Sequence, residues 1–147
     1  MGLLQSAQQM VERFPKDVFP EPANLVIWEA GIADAVRGTA IDDLVAALEA
    51  GIQEVRKRGS DILLVDMQFS RRTATLIDFD RYLEAVHRVG EVNDVYVFPR
   101  FAMMRYWSEQ NMFNFDATGE GARAELAAKV YDCIGLRLAK AIRAAVR

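Results

Sequence analysis

Three short apolar runs, each closed by turn-forming residues, constrain this chain more than any other feature. Leu25-Val26-Ile27-Trp28 follows Asn24 and gives way to Glu29-Ala30-Gly31. Ile62-Leu63-Leu64-Val65 follows Ser60-Asp61 and gives way to Asp66-Met67-Gln68. Val95-Tyr96-Val97-Phe98 follows Asn93-Asp94 and stops at Pro99. Runs of this length, rich in β-branched and aromatic residues, read as strands covered on both faces, the kind found in parallel sheets.

Helical periods fill the gaps. Thr39-Ala40-Ile41-Asp42 opens one helix, with Thr39 as its cap and Asp42 at the positive end of the helix dipole. Leu44, Leu48, Ile52 and Val55 then share one face, Arg56-Lys57-Arg58 forms a solvated basic end, and Gly59 stops the helix. A second helix runs from about Asp78, with Phe79, Tyr82, Leu83, Val86 and Val89 inward and Gly90 ending it. In the last helix Ala122, Leu126, Val130, Ile134, Leu138 and Ile142 form a stripe, with Cys133, Ala141 and Ala145 beside it. Alternation of strand and helix predicts an α/β domain with right-handed crossovers. Residues 1–23 precede this core of residues 24–147. Gln5 to Phe14 reads as a helix, and Pro15, Pro20 and Pro22 make an extended lead-in. The whole of residues 1–147 is expected to be one domain.

The 147 residues suffice for one hydrophobic core, and with 52% apolar and 27% charged residues the chain is not disordered. A net charge of −3 argues against nonspecific nucleic-acid binding. With Cys133 the sole cysteine and His87 the sole histidine, an internal disulfide and a zinc site of His and Cys ligands are excluded. No cofactor signature is present. No apolar run is long enough for a membrane span, and Met1 to Phe14 lacks the apolar stretch of a signal peptide. The expectation is a soluble domain, its compartment open.

The segment LVIWEAGIADAVR at Leu25–Arg37 resembles the third conserved block of the SGNH (GDSL-type) hydrolase family, a strand followed by G-x-N-D. The next helix, DILLVDMQF at Asp61–Phe69, a further helix and DVYVFPRFAMMRYW at Asp94–Trp107 follow that family's order of elements. Pro15-Lys16-Asp17-Val18 ahead of Asn24-Leu25-Val26-Ile27 is similar to the family's run into this strand. The resemblance extends from about residue 8 to the end. It implies a three-layer α/β/α, flavodoxin-like parallel sheet, with the family's first strands missing from this chain.

The departures fall on the chemistry. The family's nucleophile lies in a G-D-S block, and this chain has none. The oxyanion asparagine of G-x-N-D falls on Ala33 in Gly31-Ile32-Ala33-Asp34, and a methyl group donates no hydrogen bond. The family's D-x-x-H ahead of the last helix falls on Asp116-Ala117-Thr118-Gly119, with glycine in place of histidine. Loss of one oxyanion donor costs about 10²–10³ in rate. Loss of a triad serine or histidine costs about 10⁶. Ordinary ester hydrolysis is therefore not expected.

The candidates for replacement are Ser70, His87 and Asp116. Ser70 follows a strand, at the edge where α/β folds bind ligands, but Ser70-Arg71-Arg72-Thr73 lacks the glycine turn of a nucleophile elbow. His87 is expected on a helix flank beside Leu83 and Val86, away from the strand ends. Arg71 and Arg72 offer an anion contact or a solvated loop, and Cys133 is expected in the core. Gly31, Ala33, Asp34, Asp66 and Gln68 make a candidate binding rim. Glu29, Asp34 and Asp66 at the strand ends suit a cation or sugar. For Asp34 the resemblance implies instead a hydrogen bond to loop backbone. Asp66 also resembles the phosphorylated aspartate of a response-regulator receiver, although the receiver's acidic pair and late lysine are absent. Trp28, Trp107, Tyr106, Met103 and Met104 are expected to form one apolar cluster, as core or against an acyl or sugar ligand.

In the family the sheet order is 2-1-3-4-5, so a chain without the first two strands has Leu25–Trp28 at an edge. An apolar edge invites a homodimer or a partner chain. The expected role is non-catalytic binding or scaffolding related to ester or acyl-saccharide chemistry. The alternatives are an esterase whose serine block lies elsewhere and a receiver-like switch at Asp66.

Overall fold

The computed structural model describes residues 4–145. Strands β1 (Leu25–Glu29), β2 (Asp61–Val65) and β3 (Val97–Phe98) form a parallel sheet in the order β1-β2-β3. Leu25 lies opposite Asp61 and Trp28 opposite Leu64, while Leu64 and Val65 face Val97 and Phe98. Ile62, Leu63, Leu64 and Val65 are all buried, so β2 is covered on both faces as its apolar run requires. β1 departs from that expectation: Trp28 is buried, but Ile27 is 48% exposed, because β1 is the sheet's edge among the described residues.

Helix α1 (Ala7–Asp17) precedes the sheet; α2 (Ile32–Arg37) and α3 (Ile41–Lys57) connect β1 to β2; α4 (Arg71–Ala74) and α5 (Asp80–Val92) connect β2 to β3. Helices α6 (Arg100–Glu109) and α7 (Glu120–Ala145) follow. α3 packs between α1 and α5. A sheet that advances in one direction by right-handed crossovers places its connecting helices in such a row. Leu44, Leu48, Ile52 and Val55 are fully buried along the predicted face of α3. A Cβ at Gly51 would overlap the Trp28 ring, so this glycine lets α3 close onto β1.

Several local expectations need correction. α1 continues through Pro15, which falls in its last turn, where Val18 N–H still donates to Phe14 O at 3.0 Å. Its start is a capping box of Ser6 and Gln9. α3 begins after Ala40 with no side-chain cap; the Thr39 carbonyl instead accepts from the Tyr82 hydroxyl at 2.8 Å. Gly59, at φ 76°, follows its end as expected. The basic run there is engaged, with Arg56 donating to Asn93 O at 2.7 Å and Arg58 lying over the Phe19 ring. α5 starts at Asp80 and does not stop at Gly90, where a Cβ would overlap the Val97 side chain. β3 is shorter than its apolar run because Val95 N–H donates to Gly90 O at 2.8 Å, closing the turn from α5. In α7 only Val130 and Ile134 are buried, and Cys133 is half-buried rather than core. Among the described residues no helix is long and apolar enough to cross a membrane.

Candidate functional site

Asp66 directly follows β2. Its carboxylate is 1% exposed, and both oxygens are occupied. Oδ1 accepts from Phe101 N–H at 2.8 Å, in the first turn of α6, and Oδ2 lies 2.9 Å from His87 Nε2. Beside a carboxylate acceptor, Nε2 is the donor and Nδ1 is left as the ring's other polar atom. His87 was expected away from the strand ends; it is instead joined to the end of β2 while remaining partly exposed on α5. Helical period places a residue on a flank but does not say what a long side chain reaches along the sheet's rim. A buried carboxylate with both oxygens engaged is also not open to a phosphoryl donor, which removes the receiver-like alternative.

The G-x-N-D-like segment forms the turn into α2. Gly31 sits at φ 102°, a left-handed conformation that suits glycine. Ala33 is buried, so the place of the asparagine in G-x-N-D holds a methyl group within the core. Asp34 is 1% exposed, and its Oδ2 accepts from Ala7 N–H at 2.9 Å. Its backbone partner is therefore the start of α1, not its own loop.

A cavity of about 320 Å³ opens beyond β2, between the β2–α4 loop, α6 and α7. Gln68, Ser70 and Asp116 line it together, whereas His87, Asp66, Gly31, Ala33 and Asp34 do not. Arg71 is clamped there: Nε donates to Ser108 Oγ at 2.7 Å, Nη2 to Ser108 O at 3.0 Å and Nη1 to Asp116 Oδ2 at 2.9 Å. Arg100 is 5% exposed; Nη2 donates to Glu29 Oε1 at 2.6 Å, and its buried Nε has no hydrogen-bond partner. Arg72 and Arg123 complete a wall with four guanidinium groups.

The serines of the chain are Ser6, Ser60, Ser70 and Ser108. Ser6 caps α1, Ser60 donates to Ala23 O, and Ser108 is buried against Arg71. Among the described residues, none is hydrogen-bonded to His87. The expected aromatic cluster divides: Trp28 packs against Phe14, Trp107 packs against Phe113, and Tyr106 is exposed. Arg100, Ser108 and Arg123 were missed as site residues. Arg100 carried a signal, since a cation in the first turn of a helix opposes the helix dipole and needs another reason to be there. Among the described residues no cluster of three His, Cys, Asp or Glu is placed to hold a metal ion.

The family model of the Non-GDSL lipase-like family matches residues 2–147. The chain belongs to that family. Two solved structures share its α/β fold, with its parallel sheet flanked by helices. One is a protein described as lipolytic and of the G-D-S-L family, from Desulfitobacterium hafniense DCB-2; it is 19% identical, with a TM-score of 0.55, over 63% of this chain and 52% of that one. The other is the esterase AlinE4 in a serine-to-alanine variant; it is 19% identical, with a TM-score of 0.56, over 93% of this chain and 71% of that one. The chain thus spans about half the length of the first. No curated protein matches it. The family makes the domain lipase-like, and its fold is the one these two structures share.

Proposed function

We propose that this lipase/esterase-like domain binds an ester- or acyl-related ligand, or scaffolds a partner, without hydrolysing esters. The observation that carries this reading is the composition of the rim. The oxyanion position is a buried methyl at Ala33, and among the described residues no serine bonds to the one imidazole. Ser70 lines the cavity, but none of the described side chains activates its hydroxyl. An activated nucleophile needs a base within hydrogen-bond reach. The expected result with p-nitrophenyl acetate is a rate that Ser70→Ala leaves unchanged. A burst or turnover abolished by Ser70→Ala would overturn the reading.

One observation favours a second reading, an esterase whose nucleophile lies on another chain. Asp66 and His87 already form an oriented acid–imidazole pair, two parts of a triad. On that reading, hydrolysis appears only with the second chain present and vanishes in His87→Ala.

The edge of β1, unpaired among the described residues, supports a further element of the proposal, that a second copy of the chain pairs there. The strand carries no lysine or proline, and Ile27 is exposed on it.

A further inference from the structure

We infer that the cavity beyond β2 is a binding site for an amphiphile with an oxyanion head, a carboxylate or phosphate carried on an apolar chain. The inference rests on the reading above, that this cavity binds a ligand.

Charge selects the head. Of the four guanidinium groups in the wall, Arg71 is answered by Asp116 and Arg100 by Glu29. Among the described residues, Arg72 and Arg123 have no carboxylate within ion-pair distance. Two cations in excess on one concave surface favour an anion and disfavour neutral or cationic ligands. Arg100 lines the cavity but is buried and paired with Glu29, so the exposed Arg72 and Arg123 are the groups open to the head. Guanidinium forks match the paired oxygens of carboxylate and phosphate. The rest of the wall selects the tail. Met104, Leu126, Val130 and Ile134 offer aliphatic surface, which suits an alkyl chain better than a ring covered in hydroxyls. The volume lies at the small end of ligand cavities, so the chain it takes is short.

Calorimetric titration of the full chain with octanoate, octyl phosphate, 1-octanol and inorganic phosphate tests this. The expected result is binding of octanoate or octyl phosphate, with the tighter of the two naming the head. 1-Octanol and inorganic phosphate should each bind at least about tenfold more weakly, since each lacks one half of the ligand. Arg72→Gln combined with Arg123→Gln, both at exposed positions, should raise the Kd of the preferred anion about tenfold or more with unchanged thermal unfolding. Ala127→Phe, which narrows the cavity from α7, should weaken the octyl compounds and leave inorganic phosphate unaffected. No binding of either octyl anion, equal affinity for 1-octanol, or affinity unchanged in the double variant would overturn the inference. These outcomes are separate from failure of the non-catalytic reading, which shows as ester turnover and not in the titration.

Discussion

Two aspartates hold the starts of two helices against the sheet's rim. Asp34 accepts the first amide of α1, and Asp66 accepts the Phe101 amide in the first turn of α6. Carboxylates at these positions satisfy amides that have no partner within their helix and face the positive end of its dipole. Asp34→Ala leaves the Ala7 N–H buried without an acceptor, at a cost of about 1–3 kcal/mol. Thermal or urea unfolding should show that loss, with most of it recovered in Asp34→Asn, whose carbonyl still accepts. Equal stability of Asp34→Ala and the parent would contradict this role. Both acids were visible in the sequence as charges just past apolar runs. Their partners were not, because the bonds span 27 and 35 residues and no local pattern links such positions. The partner of Arg100 was illegible for the same reason: Glu29 is 71 residues away in the chain.

The elements were more legible than their ends. The apolar runs located all three strands, and the period of α3 gave its buried face residue by residue. The stripe on α7 was equally regular, yet only Val130 and Ile134 are buried, while Leu126, Leu138 and Ile142 remain partly covered. Periodicity identifies a face and does not show whether a neighbour reaches it. Gly90 was read as a helix stop because glycine is common there, but its lack of a side chain serves the approach of α5 to Val97. The edge strand β1 carries the prediction at this scale. Light scattering at micromolar concentration should give twice the monomer mass for the parent chain, and Ile27→Lys should return it to monomer by placing a charge on the pairing edge. A stable parent monomer would contradict edge pairing. Mass retained in Ile27→Lys would place the interface elsewhere.

For the whole molecule, element order conveyed the fold and the departures conveyed the chemistry. Strand, glycine turn and helix at Leu25–Arg37 form as the resemblance implied, and the side chain at Ala33 within that block is a buried methyl that donates no hydrogen bond. Asp66 and His87 are hydrogen-bonded at the rim, while the serines of the described chain serve as helix cap, loop contacts and clamp and do not bond to that pair. The cationic cavity could not be read from the sequence, because its guanidinium groups come from three separate segments that only the fold brings together. The most direct measurement is intact mass after exposure to an alkyl fluorophosphonate. This reagent phosphonylates an activated serine: the Oγ–P bond forms, the P–F bond breaks, and fluoride and the hydroxyl proton are released. The account predicts an unchanged mass. An added phosphonyl mass that disappears in Ser70→Ala or His87→Ala would contradict it.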